Sequence, residues 1–283
     1  MQIKSGDIAI VTGASQGLGV HIARALAERG VHLVLAARSA AALEQVAGTL
    51  RAAGKVEVIT VPTDVADLAA LERLVSAATE RFGRVDILVN NAGLERTLAY
   101  DELPIADIQQ MIAVNLTGPM LLTRLLLPQM LRNGRGHIVN IASVAGVMAS
   151  PYEEPYVATK HGLVGFTRSL RLTAQELKWP VSASVICPGF MDGAGMYEGM
   201  KQQHGVSAPL VVGSMHAGVL GHAVIRAIES DQPDAILMKG APRLFVALLA
   251  LLPRAYEYFS NKLDTASVFR VVAKARHTSG SKA

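Results

Sequence analysis

The feature that most constrains the fold is a regular alternation of short apolar segments with longer amphipathic segments, which runs through most of the chain. The short segments are rich in β-branched residues and almost wholly apolar, as expected for strands whose two faces are both covered by helices. We predict strands at Ile8 to Thr12, Val31 to Ala36, Val56 to Val61, Asp86 to Asn90, Gly136 to Ala142, Val181 to Cys187 and Ala235 to Met238.

The longer segments have helical periodicity and separate these strands. We predict helices at Leu18 to Arg29, Ala40 to Ala53, Asp67 to Phe82, Ile105 to Met130, Tyr156 to Leu177 and Val219 to Glu229. Repeated strand–helix units with right-handed crossovers predict an α/β, Rossmann-type, doubly wound fold. Its sheet is expected to have seven mostly parallel strands and helices on both faces.

No linker interrupts this alternation, so residues 1–240 are predicted to form a single domain, with a substrate lid at 189–212. Residues 241–283 are predicted to be a C-terminal helical extension and tail. In doubly wound folds, ligands bind beyond the carboxyl ends of the strands. The functional residues are therefore expected in the loops that follow the strands.

Composition narrows the function classes. The chain is 51% hydrophobic and 18% charged, which is ample for a buried core. A net charge of +4, without a dense basic run before the C-terminal stretch, argues against a nucleic-acid partner. No long apolar stretch precedes the first strand, so a cytoplasmic location is expected. The eight histidines show no metal-ligand spacing, and no metal is predicted.

A glycine-rich loop joins the first strand to the first helix. Its three glycines allow a tight turn and close approach to a pyrophosphate, while the helix N-terminus offers free N–H groups and the positive end of its dipole. The spacing is G-x-x-x-G-x-G, and the position between strand and helix favours dinucleotide binding over an ordinary turn. The candidate cofactor-binding residues of this loop are Gly13, Ser15, Gln16, Gly17, Leu18 and Gly19.

The end of the second strand indicates which dinucleotide binds. An acidic residue there would bond the ribose 2′-hydroxyl of NAD, but this chain has Ala37 followed by Arg38. An arginine can pair with a 2′-phosphate, and the hydroxyl of Ser39 can assist. We therefore predict NADP(H) as cofactor; the alternative is that Arg38 is only a solvated surface charge.

Tyr156 and Lys160 are four residues apart and so share one face of a predicted helix. A nearby ammonium favours the phenolate and is expected to lower the pKa of the tyrosine, while Lys160 can also hold ribose hydroxyls. Ser143, at the end of the fifth strand, can polarise a substrate carbonyl. Asn115 lies within an apolar helix, where it either satisfies nearby backbone groups or holds a water that relays protons to Lys160.

Together these residues resemble the short-chain dehydrogenase/reductase family over about residues 5–240. The glycine loop, Asn90-Asn91-Ala92-Gly93, Asn115, Ser143, Tyr156-x-x-x-Lys160 and Pro188-Gly189 occur in family order. The resemblance implies that Asn115, Ser143, Tyr156 and Lys160 form a catalytic tetrad. It also implies cofactor contacts from Tyr156 and Lys160 and from residues that follow the other strands, which are Asp64, Val65, Asn91, Ala92, Gly93, Pro188 and Gly189.

The sequence departs from the family pattern at two places. Phe190 and Met191 follow Pro188-Gly189 where many members have a threonine that bonds the nicotinamide amide. Glu153 and Glu154 precede the tyrosine, and we expect both to be solvated loop carboxylates. Directed inward, they would instead raise the tyrosine pKa or favour a cationic substrate.

The lid carries methionine and aromatic side chains that make an adaptable apolar pocket, with Phe190, Met191, Met196 and Tyr197 as candidate lining residues. The predicted function is therefore NADPH-dependent interconversion of a hydrophobic ketone or aldehyde and an alcohol, with Tyr156 as acid and base. The alternative is a catalytically silent dinucleotide-binding regulator or scaffold. A homo-oligomer, dimer or tetramer, is expected.

The apolar run Leu244 to Leu252 is too short to span a bilayer, which takes roughly 20 residues. We expect it to pack on the protein body or on another subunit. The alternative is an interfacial helix that gives peripheral membrane contact through residues 243–260.

Overall fold

Nearly continuous apolar segments form a parallel sheet at the centre of the protein. The computed structural model describes residues 1–54, 56–209, 212–239, 244, 246 and 251–280. The strands are β1 (Ile8–Thr12), β2 (His32–Ala37), β3 (Val58–Pro62), β4 (Ile87–Asn90), β5 (Gly136–Ile141), β6 (Val181–Pro188), β7 (Phe190–Asp192), β8 (Ser214–His216) and β9 (Asp234–Leu237).

Seven of these strands pair in parallel in the order β3-β2-β1-β4-β5-β6-β9. The order reverses direction between β1 and β4, which is the switch point of a doubly wound fold. The predicted Rossmann-type sheet is therefore confirmed, and all of its described pairings are parallel. The separate pair of β7 with β8 was not predicted.

Helices cover both faces of the sheet. They are α1 (Leu18–Glu28), α2 (Ala40–Ala52), α3 (Leu68–Phe82), α4 (Ile105–Ile112), α5 (Gly118–Arg132), α6 (Glu154–Glu176), α7 (Met196–His204), α8 (Val219–Glu229), α9 (Pro253–Lys262) and α10 (Ser267–Gly280). One core cluster joins α1, α2 and α8 to the sheet, and a second joins α3 and α5 to it. Helix α6 packs beside β6 on the second face.

Alternate residues of each strand supply the two cores. Val11 and Leu35 face the first cluster, while Ile10 and Val34 face the second. This alternation explains why the strands read as unbroken apolar runs, because neither face meets water.

The helix predicted from Ile105 to Met130 contains a local change of geometry. Helices α4 and α5 are joined by a π-helical turn, Ala113–Thr117, that holds Asn115. Within the described residues, Ile105–Arg132 is long and apolar enough to cross a membrane by length and composition alone, with a mean hydropathy of 1.3. Leu122, Leu126 and Met130 instead pack into the core beneath the sheet.

The C-terminal extension packs on the lid. Val268 and Val272 of α10 share a buried cluster with Met200 of α7 and with Val206. Most of the apolar run Leu244 to Leu252 lies outside the described residues, so its predicted packing stays a prediction. The described Leu251 and Leu252 are 76% and 55% exposed.

Candidate active site

Loops that follow β1, β4, β5 and β6 meet at the carboxyl edge of the sheet. The Asn91 amide donates to the main-chain oxygen of Thr12 at 2.9 Å, and the Thr12 hydroxyl accepts from the backbone N–H groups of Asn91 and Ala92, both at 3.0 Å. These bonds tie the loop after β4 to the glycine loop. The side chain of Asn91 thus stabilises the relative position of these two loops.

The glycine loop is closely packed and needs its glycines. A Cβ on Gly19 would lie 2.2 Å from the oxygen of Gly13, and Gly17 has a φ of 62°. Gly17 caps α1 without any side-chain hydrogen bond. The first N–H groups of α1 therefore have no side-chain acceptor among the described residues, which suits a phosphate. Ser15 and Gln16 complete the turn between β1 and α1, and Leu18 is the first residue of α1.

The loops after β2 and β3 lie beside the glycine loop. Arg38 is exposed and makes no hydrogen bond or ion pair with any other described residue. The Ser39 hydroxyl caps α2 by accepting from Ala42 N at 3.3 Å. Asp64 forms a local turn by accepting from Ala66 N at 3.0 Å, and Val65 packs into the second core cluster. Arg38 is thus a cation in this loop that no described side chain neutralises.

Tyr156 and Lys160 lie one turn apart on the buried face of α6. The Lys160 ammonium is 5.6 Å from the centroid of the tyrosine ring and donates to the main-chain oxygen of Ile141 at 3.0 Å. Ser143 follows β5, and its hydroxyl accepts from Ala145 N at 3.1 Å and hydrogen-bonds the tyrosine side chain. The structure thus brings together the three predicted groups.

Asn115 contacts this group through the π-helical turn. Its amide pairs with the backbone of Leu94 in both directions at 2.8 Å, and it donates to the Thr159 hydroxyl at 3.2 Å. Both ends of the amide thus have protein partners, in agreement with the first of its two predicted roles. A Cβ built on Gly93 would lie 3.6 Å from Asn115 Oδ1 and from Lys160 Nζ, so the loop after β4 lies directly against the lysine.

Burial is the largest cause of the pKa shifts of both Tyr156 and Lys160. Burial raises the pKa of Tyr156, the charge of Glu153 raises it further, and the hydrogen bond with Ser143 opposes both. Burial lowers the pKa of Lys160 to about 8. The lowered tyrosine pKa that we predicted from Lys160 is therefore not found in this structure. Desolvation outweighs the ammonium, which instead bonds the Ile141 carbonyl.

A cavity of about 380 Å³ opens beside Ser143 and Tyr156. The lid lines it with Phe190, Met196 and Tyr197, as predicted, and Gly189 lies at its edge after Pro188. Met191 is buried but does not line this cavity. Adjacent residues of β7 point to opposite sides, so Phe190 and Met191 cannot both face it.

Glu153 is buried, so the prediction that it is a solvated loop carboxylate was wrong. Its side chain is only 3% exposed, lines the cavity, and accepts from the Ser150 hydroxyl at 2.8 Å. Burial first, and then the charge of Glu95, raise its pKa to about 8. Glu154 is exposed, as predicted. The two carboxyls separate because α6 begins between them, which directs one inward and the other to solvent.

Sequence reasoning missed several other residues that line the cavity. Glu95 lines it from the loop after β4, and α9 and α10 supply Tyr256 and Phe269. Phe269 lies 6.2 Å from the ring of Phe190, which joins the extension to the lid. The spacing of Tyr256 and Ser260, four residues apart on one helical face, was the available signal for this wall.

No group of three or more His, Cys, Asp or Glu that could hold a metal ion is found among the described residues. The geometry therefore centres on a hydroxyl, a phenol and an ammonium around an apolar cavity, beside a loop suited to phosphate.

Comparison with known proteins agrees with this geometry. The family model described as short chain dehydrogenase matches residues 7–205. Ketoacyl reductase HetN from Nostoc sp. is 36% identical over 269 residues, which cover 92% of this chain and 91% of that protein.

Two solved structures are similar in fold. A short-chain dehydrogenase/reductase from Burkholderia phymatum in complex with NAD has a TM-score of 0.80 and 30% identity, covering 90% of this chain and 97% of its own. A variant of actinorhodin polyketide ketoreductase with NADPH has a TM-score of 0.74 and 30% identity, covering 84% and 97%. The chain belongs to the short-chain dehydrogenase/reductase family.

Proposed function

We propose that this protein is an NADPH-dependent oxidoreductase that interconverts a hydrophobic ketone or aldehyde and its alcohol. The observation that carries the proposal is the meeting of Ser143, Tyr156 and Lys160 at one end of the apolar cavity. A hydroxyl and a phenol at the same point provide two hydrogen-bond donors for one carbonyl oxygen.

The residues have distinct roles in this proposal. Ser143 and Tyr156 bind and polarise the carbonyl oxygen, and Tyr156 donates the proton to it. Lys160 holds the ribose of the cofactor near the tyrosine. Asn115 positions the backbone of Leu94 and the hydroxyl of Thr159 beside the lysine through its amide hydrogen bonds. When bound, NADPH supplies the hydride that reduces the carbonyl carbon.

The choice of NADP(H) rests on Arg38. Its exposed guanidinium has no partner among the described residues and follows β2, where a 2′-phosphate would need a cation. The glycine loop fits a pyrophosphate, because α1 begins without a side-chain cap. The related structures contain NAD in one case and NADPH in the other, so the choice between the two cofactors for this chain depends on Arg38.

The substrate class follows from the cavity. Methionine and aromatic side chains of the lid and of the C-terminal helices line most of it. Such a surface favours an apolar chain or ring attached to the carbonyl. The name of the ketoacyl reductase relative supports an acyl chain as one such group.

The test is NADPH oxidation with a panel of ketones and aldehydes of rising chain length, beside the same panel with NADH. We expect turnover with NADPH that improves as apolar groups are added. The alternative is a catalytically silent dinucleotide-binding protein. NADPH binding by fluorescence without turnover of any carbonyl or alcohol would favour that alternative.

We also propose a cytoplasmic homo-oligomer. The joined helices α4 and α5 expose Ile105 (76%), Ile112 (43%) and Met120 (41%). Apolar exposure of this kind is typical of contact surfaces. Light scattering after size-exclusion chromatography would give the number of subunits.

A further inference from the structure

The substrate cavity contains two carboxyl groups that the proposed reaction does not use. Glu95 lines it from the loop after β4, and Glu153 lines it from the start of α6. Their side chains are almost fully buried, and the rest of the wall is mostly apolar. Buried carboxyls are rare unless they are paired, so both need an explanation.

Glu95 is explained by its partners. It accepts from the Thr97 hydroxyl and from Arg276 Nη1, the latter at 3.2 Å. Arg276 belongs to α10, so the C-terminal helix neutralises this carboxylate. Glu95 is therefore a paired charge that joins the extension to the cavity wall.

Glu153 forms no ion pair with a cation among the described residues. Its Oε2 accepts from the Ser150 hydroxyl, and its Oε1 makes no hydrogen bond with any other described residue. It stands at the N-terminal boundary of α6 but makes no side-chain capping bond there. Its carboxyl is directed to the cavity that also contains Tyr156, three residues further along the helix.

We infer that Glu153 selects substrates by charge: its carboxyl, which has no ion-pair partner among the described residues and faces an apolar cavity, donates a hydrogen bond to an uncharged acceptor oxygen on the substrate, whereas a substrate carboxylate near the reacting carbonyl would be buried there without a cation to pair with it. This inference rests on the proposed function. The substrate class it specifies is a neutral ketone with a second carbonyl oxygen, such as a keto ester or thioester.

The charges around Glu153 support a neutral carboxyl. The charges of Glu95, Arg276 and the neighbouring Glu154 act on it, and Tyr156 lies three residues further along the chain. Burial and the charge of Glu95 together outweigh Arg276 and the Ser150 hydrogen bond, and its pKa is raised to about 8. At neutral pH the group is then a donor, and a substrate carboxylate would be desolvated beside two carboxyl groups without a free cation among the described lining residues.

Three ketones separate these effects. Ethyl acetoacetate has a second, neutral carbonyl oxygen, acetoacetate has the same 3-oxobutanoyl group with a carboxylate in place of the ester, and 2-pentanone has neither. We expect wild-type kcat/KM with NADPH to be at least about tenfold higher for the ester than for acetoacetate. The ester should also exceed 2-pentanone, and this advantage should shrink above pH 8 as the donor ionises.

Variants of Glu153 identify the donor. Glu153→Gln keeps a donor that cannot ionise, so the ratio of ester to 2-pentanone should persist and become independent of pH. Glu153→Leu should remove this ratio, and Glu153→Lys should raise activity on acetoacetate relative to the ester. The control is Glu154→Gln, one residue away and exposed, which should leave every ratio as in wild type.

The outcomes separate the two proposals. If no carbonyl is reduced although NADPH binds, the proposed function fails. If ketones are reduced but the ratios are the same in wild type, Glu153→Gln and Glu153→Leu, only this inference fails. Preference for a ketone with a quaternary ammonium group over the ester would likewise overturn it, because Glu153 would then act as an anion. Lower thermal stability in Glu153→Leu with unchanged ratios would assign Glu153 a purely structural role.

Discussion

Lys160 donates a hydrogen bond to the main-chain oxygen of Ile141 at 3.0 Å, which ties α6 to the end of β5. The lysine is buried, and its pKa is lowered to about 8 by desolvation. Its ammonium therefore supports the site structurally as well as being available to a cofactor.

Replacing Lys160 with Met should lower both the stability of the fold and the affinity for NADPH. The Ile141 oxygen would be left without its donor, which costs about 1–3 kcal/mol of stability. The loss of a ribose contact should also weaken NADPH binding by about tenfold. Thermal unfolding and fluorescence titration measure the two effects, with Lys4→Met, at an exposed residue, as control. An unchanged dissociation constant would remove Lys160 from the cofactor site.

Replacing Tyr156 with Phe should separate chemistry from binding. The phenol hydroxyl is the proposed proton donor, and loss of a general acid costs about 100- to 10,000-fold in rate. Since the ring remains packed against its neighbours, NADPH affinity should stay within about twofold of wild type. Steady-state kinetics and cofactor titration of the same preparation are the measurements. Turnover near the wild-type rate would contradict the proposed mechanism.

The sequence predicted the sheet and the central groups of the site because each has a local signal. Apolar runs predicted the strands. The end of the fifth strand placed Ser143, helical spacing placed Tyr156 beside Lys160, and the family resemblance implied that the three would meet. The orientation of Glu153 had no such signal, because a carboxylate before a helix is ordinarily solvated. In the structure α6 begins at Glu154, and Glu153 lies inward, where it accepts a hydrogen bond from the Ser150 hydroxyl.

The wall formed by the C-terminal extension could not be predicted for a related reason. Phe269 and Arg276 contact Phe190 and Glu95, which are separated from them by many residues in the chain. Periodicity predicts that a helix has an apolar face, but it does not identify what that face covers. The π-helical turn around Asn115 was likewise hidden inside one continuous helical pattern.

Replacing Arg38 with Asp should change the cofactor preference. A 2′-phosphate would lose its cation and meet a carboxylate, so kcat/KM for NADPH should fall by about 100-fold. NADH should be less affected, because Asp can accept a bond from the ribose 2′-hydroxyl. The ratio of NADPH to NADH activity is the measurement, with Arg124→Asp at an exposed position of α5 as control. An unaltered ratio would show that Arg38 is only a surface charge.

The buried carboxyl of Glu153 should make stability depend on pH. Its pKa rises from an ordinary 4.5 to about 8 on folding. Between pH 4.5 and pH 8 the folded chain binds more protons than the unfolded chain, because Glu153 stays protonated only in the folded state. The contribution of Glu153 to the free energy of unfolding is therefore fully present below pH 4.5 and declines as the pH rises toward 8.

A glutamine at this position cannot ionise, so Glu153→Gln should not show this decline in the free energy of unfolding. Relative to wild type, the variant should gain up to about 4 kcal/mol between pH 4.5 and pH 8. Denaturant unfolding at several pH values measures the difference, and Glu154→Gln should show no such trend. A constant difference across this pH range would mean that Glu153 ionises normally in the folded protein.

Gly19 and Gly48 should respond oppositely to the same substitution. A Cβ on Gly19 would lie 2.2 Å from the Gly13 oxygen, so Gly19→Ala must displace the glycine loop and should lower both stability and NADPH affinity. A Cβ on Gly48, exposed on α2, would meet nothing within 4 Å. Gly48→Ala should therefore stabilise the protein by about 0.5–1 kcal/mol through its better helix propensity.

Thermal unfolding with and without NADPH distinguishes the two variants, because only Gly19→Ala should lose the stabilisation that the bound cofactor gives. Equal stabilisation of both variants by NADPH would mean that the loop does not depend on the close packing of Gly19 against Gly13.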